Sequence, residues 1–185
     1  MNRQQESENF KKLQFSADLA KLVKHTRQVG FFNMGEDASF PHIEFAIPDT
    51  QIKDRYWCKD DSNCGENLYE YTLRNTRTTK IIYDYDATYF KDIYNLLSAK
   101  YKLGRMRLLG LQPNRSLSWH REPDERIVIP VITNPGAHMV IGGENKHLPA
   151  DGSAWYLDTT KFHTAFNGGF DLRVHLLITY NGELG

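Results

Sequence analysis

Residues 126–180 read RIVIPVITNPGAHMVIGGENKHLPADGSAWYLDTTKFHTAFNGGFDLRVHLLITY. Short apolar runs are cut at even intervals by Asn134-Pro135-Gly136, Gly142-Gly143, Asp151-Gly152 and Gly168-Gly169, combinations that favour tight turns. The pattern predicts strands over 126–133, 138–141, 154–157, 163–166 and 172–180. A further strand over 105–111 precedes them, before Pro113-Asn114, and Asn181-Gly182 closes the series. Many short strands with Gly- and Pro-rich turns at even spacing point to a sandwich, barrel or jelly roll.

Upstream the signals change. Residues 1–15 are polar and read as a frayed end, with Phe10 and Leu13 as the residues able to dock. Ser16 reads as the N-cap of a helix over 17–28, with Leu19, Leu22, Val23 and Val29 on one face and Gly30 as its stop. Residues 31–65 are broken by Gly35, Pro41 and Pro48 and read as loops, whose aromatic residues Phe31, Phe32, Phe40, Phe45, Tyr56 and Trp57 must pack. Strands are expected over 68–73 and 80–85. A second helix is expected from an Asp86 cap, with Phe90, Ile93, Tyr94, Leu97 and Tyr101 as its apolar stripe and Gly104 as its stop. The expected organisation is one domain over 1–185. Residues 104–182 form its β core, and residues 1–103 supply helices, loops and flanking strands.

Composition narrows the class of function. The chain has 23 basic and 23 acidic side chains and no net charge, so nothing draws it globally to nucleic acid or to an anionic membrane. Arg105, Arg107 and Arg115 read as solvated residues flanking strands. No apolar run approaches a membrane span, and residues 1–9 lack the apolar core of a signal peptide, which predicts a cytoplasmic protein. Cys58 and Cys64 are the only cysteines, with no further residues nearby to complete a zinc set; two reduced thiols are expected.

Chemistry concentrates near His120, Glu122, His163 and Arg173. In an extended segment, residues two apart point to one side, so His120 and Glu122 can bind the same ion. His163, after the strand over 154–157, is the candidate third ligand. Two histidines and one carboxylate leave three open positions on iron(II). Each histidine taken singly fits a turn or strand-end residue bonded to backbone. Together, on a jelly-roll pattern, they point to a metal site. Arg173 opens an apolar strand in which His175, Leu177 and Thr179 share its face, while Val174, Leu176, Ile178 and Tyr180 face the other way. A guanidinium there requires a partner. That partner is either Asp158, Asp171 or Glu144 of the same chain, or the carboxylate of a ligand.

The ordered series RMRLLGLQP at 105–113, SWHRE at 118–122, ERIVIPVITN at 125–134, DGSAWYLDT at 151–159, HTAFN at 163–167 and DLRVHLLI at 171–178 resembles the aspartyl/asparaginyl β-hydroxylase branch of the Fe(II)/2-oxoglutarate dioxygenases, which also includes free-proline hydroxylases. The resemblance implies a mainly β fold with flanking helices, a double-stranded β-helix (jelly roll, cupin-like). It implies iron(II), 2-oxoglutarate and dioxygen as the reacting set. It implies His120 and His163 as iron ligands and Arg173 as the clamp for the distal carboxylate of 2-oxoglutarate. Arg126 matches a position that contributes to the co-substrate or substrate site, and Trp155 and Asp158 match a structural pair. The chain departs from the family at two positions. The carboxylate ligand, often Asp and absent in some members, is Glu122 here. The pattern Arg-x-His-x-Pro becomes Arg126-Ile-Val128-Ile-Pro130, which removes a hydrogen-bond donor that His138 or His175 would have to replace.

The expected substrate is therefore an amino-acid side chain, of Asp/Asn type in a peptide or protein or in a free amino acid such as proline, with Arg115 and Arg121 as candidates to meet an anionic one. The aromatic and acidic segment over 56–71 reads as a lid or as simple packing. Two other classes stay open on the residues alone: a cupin-like metalloenzyme that does not use 2-oxoglutarate, and a jelly-roll binding module without metal.

Overall fold

The computed structural model describes residues 7–29, 42–48, 79–81 and 88–183. Among the described residues, eleven strands and two helices follow the order β1 (Phe10–Ser16), α1 (Leu19–Gln28), β2 (His42–Pro48), β3 (Thr79–Ile81), α2 (Tyr89–Ser98), β4 (Tyr101–Leu111), β5 (Arg115–Ser116), β6 (Glu125–Ile132), β7 (Ala137–Ile141), β8 (Glu144–Lys146), β9 (Ser153–Leu157), β10 (His163–Asn167) and β11 (Arg173–Glu183). They form a seven-stranded sheet in the order β1-β9-β6-β11-β4-β2-β3 and a four-stranded sheet in the order β5-β10-β7-β8. All the pairings are antiparallel.

The larger sheet has two dry faces. On its outer face Met106, Leu108, Ile127, Ile129, Val131, Val174, Leu176 and Ile178 pack with Leu22 of α1 and Phe90, Ile93 and Leu97 of α2. On its inner face Leu111, Val128, Trp155 and Leu157 meet Met139, Ile141 and Ala165 of the smaller sheet. Burial on both sides explains why β6 and β11 read as nearly continuous apolar runs rather than as strict alternations. The predicted parity of β11 holds: Val174, Leu176 and Ile178 face the helices, and Arg173, His175, Leu177 and Thr179 face inward. This is the jelly roll expected from the turn spacing.

Several expectations are corrected. The frayed N-terminal segment contains β1, an edge strand pairing with β9. Its mixed polar sequence FKKLQFS gave no periodic signal because most of its side chains are solvated. Ser16 ends that strand opposite Ser153, and the cap of α1 is Asp18, whose carboxylate accepts from the Lys21 N–H at 3.0 Å. Helix α2 starts after Thr88 and ends at Ser98. Tyr101 extends the apolar stripe only because β4 feeds the same outer core. Gly104 is not a helix stop: it lies in β4, where the three steps from Leu103 to Met106 span two from Tyr180 to Ile178 of β11. That is a β-bulge, a common place for glycine inside a strand. The run read as loops contains β2, and β5 and β8 were not foreseen. Gly30, the strand over 68–73, Asp86 and both cysteines lie outside the described residues. Among the described residues no helix is long and apolar enough to cross a membrane.

Candidate active site between the two sheets

His120 and His163 are brought together by the backbone. They form an isolated antiparallel bridge, with the His163 N–H donating to the His120 carbonyl at 2.7 Å and the reverse bond at 3.0 Å. Their rings lie 4.3 Å apart between centroids. Each Nδ1 sits on a backbone carbonyl two residues earlier in the chain: Ser118 at 2.6 Å for His120, and Lys161 at 3.0 Å for His163. A carbonyl can only accept, so each Nδ1 carries a proton and Nε2 is left as the ring atom through which a metal would bind. This is how metal-binding imidazoles are set up. Burial holds the His163 imidazole below its ordinary value, against the pull of Glu122, and His120 adds to the lowering. A neutral imidazole is the form that binds a metal.

Glu122 lies in the same pocket but turns its carboxylate to Arg126, at 2.9 Å, with both side chains buried. Burial alone would raise its pKa. The neighbouring charges, that of Arg126 the largest, outweigh burial and bring it down to about 2. The carboxylate is therefore ionised throughout the physiological range. Among the described residues, no group of three His, Cys, Asp or Glu side chains comes together to hold an ion. The structure assembles the histidine pair, with Glu122 beside it and bound to Arg126. The donor set of that pair suits a divalent transition metal: two imidazoles, each with its Nδ1 tied to a backbone carbonyl, and an anionic oxygen next to them.

Thr159 organises this end of the site and had not been foreseen. It is 2% exposed. Its carbonyl accepts the Glu122 N–H at 2.9 Å, and its hydroxyl donates to the Asp124 carbonyl at 2.6 Å. Residues 122–124 are thereby clamped to the end of β9. The only sequence signal was position, directly after the strand carrying Trp155. Arg107, read as solvated, is half-buried and bears on Glu122 electrostatically.

Arg173 is 3% exposed and faces the interior. Its Nε and one terminal nitrogen lie 3.1 and 2.7 Å from the two ring nitrogens of His175. A neutral imidazole accepts at one nitrogen only. Among the described residues, Arg173 meets no carboxylate. Glu144 instead binds Ser7 and Asn9, and Asp158 binds Thr160 and Lys161. Burial lowers the Arg173 guanidinium to about 9. Burial, with Arg173 and His147 adding to it, drives His175 far below its usual range, so His175 is neutral. Val128 is buried in the inter-sheet core. His138 does not replace a donor there, since its two nitrogens face Asn145 and the Pro135 carbonyl and its ring stacks on Phe166.

The family model described as aspartyl/asparaginyl beta-hydroxylase matches residues 68–181, reaching well upstream of the motifs that carried the resemblance. A search of curated proteins returns no match. Among solved structures the chain is similar to IDO of Bacillus thuringiensis, with TM-score 0.55 and 12% identity over 97% of this chain and 96% of that one. It is similar to a 2OG-Fe(II) oxygenase family oxidoreductase of Burkholderia pseudomallei, with TM-score 0.52 and 12% identity over 90% and 92% of the two chains. It is also similar to the viral collagen prolyl hydroxylase of Paramecium Bursaria Chlorella virus-1, with TM-score 0.50 and 8% identity over 94% and 96%. At these identities the likeness is one of fold. The family match spans more than half of the chain, and the chain belongs to the aspartyl/asparaginyl β-hydroxylase family of 2-oxoglutarate-dependent dioxygenases.

Proposed function

We propose that the protein hydroxylates an Asp/Asn-type side chain in a peptide or protein, with iron(II) held by His120 and His163 and 2-oxoglutarate anchored by Arg173. The observation that carries this reading is Arg173, a buried guanidinium facing the sheet interior with no carboxylate partner among the described residues. Iron(II), dioxygen and 2-oxoglutarate together supply the oxidation that places one oxygen atom in a C–H bond, with succinate and carbon dioxide as co-products.

In this reading His120 and His163 bind the metal through Nε2. Glu122 supplies the carboxylate of the set, and Arg126 holds it ionised through Nη2 while its Nη1 donates to the Asp124 and Glu125 carbonyls. Arg173 offers the terminal carboxylate of the oxo-acid a planar fork of donors. His175, neutral and buried, fixes the guanidinium without adding charge. Val128, Met139, Ala165 and Leu177 keep water from the interior. Residues 104–182 carry the site, and the remainder of a single domain flanks it.

The peptide substrate is supported by Trp119, adjacent to His120 in sequence, which leaves 47% of its surface exposed as an apolar patch. The viral protein of similar fold is named for acting on collagen. The test is a mass-spectrometric panel of Asp-, Asn- and Pro-containing peptides and the free amino acids, with iron(II), 2-oxoglutarate and ascorbate. A gain of one oxygen atom on a peptide is expected. A gain on free amino acids alone overturns the substrate class.

A further inference from the structure

Among the described residues, the indole Nε1–H of Trp155 is buried and meets no acceptor. The side chain as a whole is 8% exposed and belongs to the inter-sheet core with Val128, Met139, Leu157 and Ala165. Interiors rarely leave an N–H idle, because its lost hydration is not recovered. The ammonium groups of Lys146 and Lys12 lie over the indole, 4.8 and 5.9 Å from its centroid.

The strand register shows where Trp155 stands in the sheet. Trp155 is opposite Val128, and Val128 is opposite Leu177, so the three form one row across β9, β6 and β11. The next row toward the histidine pair contains Leu157, Arg126 and Thr179. The next row the other way contains Pro130 and His175. The Arg173 guanidinium leans onto His175. The Trp155–Val128–Leu177 row therefore lies between the cationic Arg173 anchor and the Glu122–Arg126 end; it continues to Lys12 on β1 and Arg107 on β4, and Trp155 is the member whose buried N–H meets no acceptor.

We propose that Trp155 is a binding residue for the oxo-acid, its Nε1–H donating to an oxygen of the dicarboxylate lying between the histidine pair and Arg173. The proposal rests on the reading of Arg173 as the anchor for 2-oxoglutarate. It assigns a ligand contact to a tryptophan that sequence resemblance marks only as structural. It also accounts for a donor on the row where Val128 has none.

The substitution Trp155→Phe keeps the ring and deletes the N–H. Binding of 2-oxoglutarate to the anaerobic iron(II)-loaded protein is measured by calorimetry, alongside indole ¹H–¹⁵N spectra. The chain has three tryptophans, Trp57, Trp119 and Trp155, so three indole peaks are expected, assigned with Trp57→Phe and Trp119→Phe. The expected result is a Kd raised roughly five- to twentyfold in Trp155→Phe. In the wild type, the Trp155 indole peak should move downfield on adding 2-oxoglutarate. A Kd within twofold of wild type, or a Trp155 peak that does not respond, overturns the proposal while leaving the anchor reading intact; the peak decides even where the variant fails to fold. A wild-type protein that binds no 2-oxoglutarate overturns both.

Discussion

Replacing Arg173 with Met separates the requirements of folding from those of ligand binding. Burial lowers the guanidinium from 12.5 to about 9. At about 1.36 kcal/mol per pH unit this corresponds to roughly 5 kcal/mol against the charged form in the fold. Because the value of a cation falls on folding, the penalty is complete at every pH below about 9 and fades only as the group deprotonates above that. The one hydrogen bond that neutral His175 can accept offsets part of it, at roughly 1.5–3 kcal/mol for a charged donor, and its loss leaves a buried acceptor unsatisfied. Methionine has a similar length and no charge. The ligand-free variant should therefore be more stable than wild type by about 1–2 kcal/mol, a rise in Tm of roughly 2–8 °C. The same substitution removes about two charge-assisted bonds to the oxo-acid, roughly 3 kcal/mol or about a hundredfold in Kd. Thermal melts with and without 2-oxoglutarate, with calorimetric titration, measure both effects. An unchanged affinity refutes the anchor. A lower ligand-free Tm refutes the burial argument.

Three further outcomes follow from particular contacts. Glu122 is lowered from 4.5 to about 2, so its contribution of about 3 kcal/mol is complete above pH 4.5 and lost as pH falls toward 2. Urea unfolding at pH 7, 4 and 2.5 should show the gap between wild type and Glu122→Gln closing at the acid end, and a pH-independent gap contradicts this. Gly152 has φ +85°, and a Cβ there would run into the Ala17 carbonyl, so Gly152→Ala should lower stability by about 2 kcal/mol or more by chemical denaturation. Asp18→Ala removes the bond to the Lys21 N–H and should cost about 1 kcal/mol, while Ser16→Ala should cost less, since Ser16 ends β1 and does not cap the helix.

The core strands were legible because turn chemistry is local. Gly168-Gly169 and Asn134-Pro135-Gly136 break the chain wherever tertiary contacts are made, and β11 kept its parity because an apolar strand with one arginine has a single sensible face. The edges were not legible. Strand β1 buries few side chains and is held by main-chain bonds to β9, which leave no pattern in side-chain type. Tyr101 and Gly104 misled because a helix and the following strand share one core, and because glycine serves bulges as well as helix ends. At the site, the spacing of His120 and His163 was informative because both backbones are extended there. The ion pair of Glu122 with Arg126 was not, since its formation depends on the turn that Thr159 clamps. The missing carboxylate beside Arg173 could be judged only when Asp158 and Glu144 were seen to bind other residues.

The central claim is tested most directly by following succinate formation from 2-oxoglutarate under air, with and without iron(II), in wild type and in His163→Ala. The account predicts iron-dependent succinate in the wild type, with oxo-acid decarboxylation even where no substrate is supplied, and none above background in His163→Ala together with loss of bound metal. A wild type that forms no succinate and binds no 2-oxoglutarate, or a His163→Ala variant that turns over normally, would contradict it.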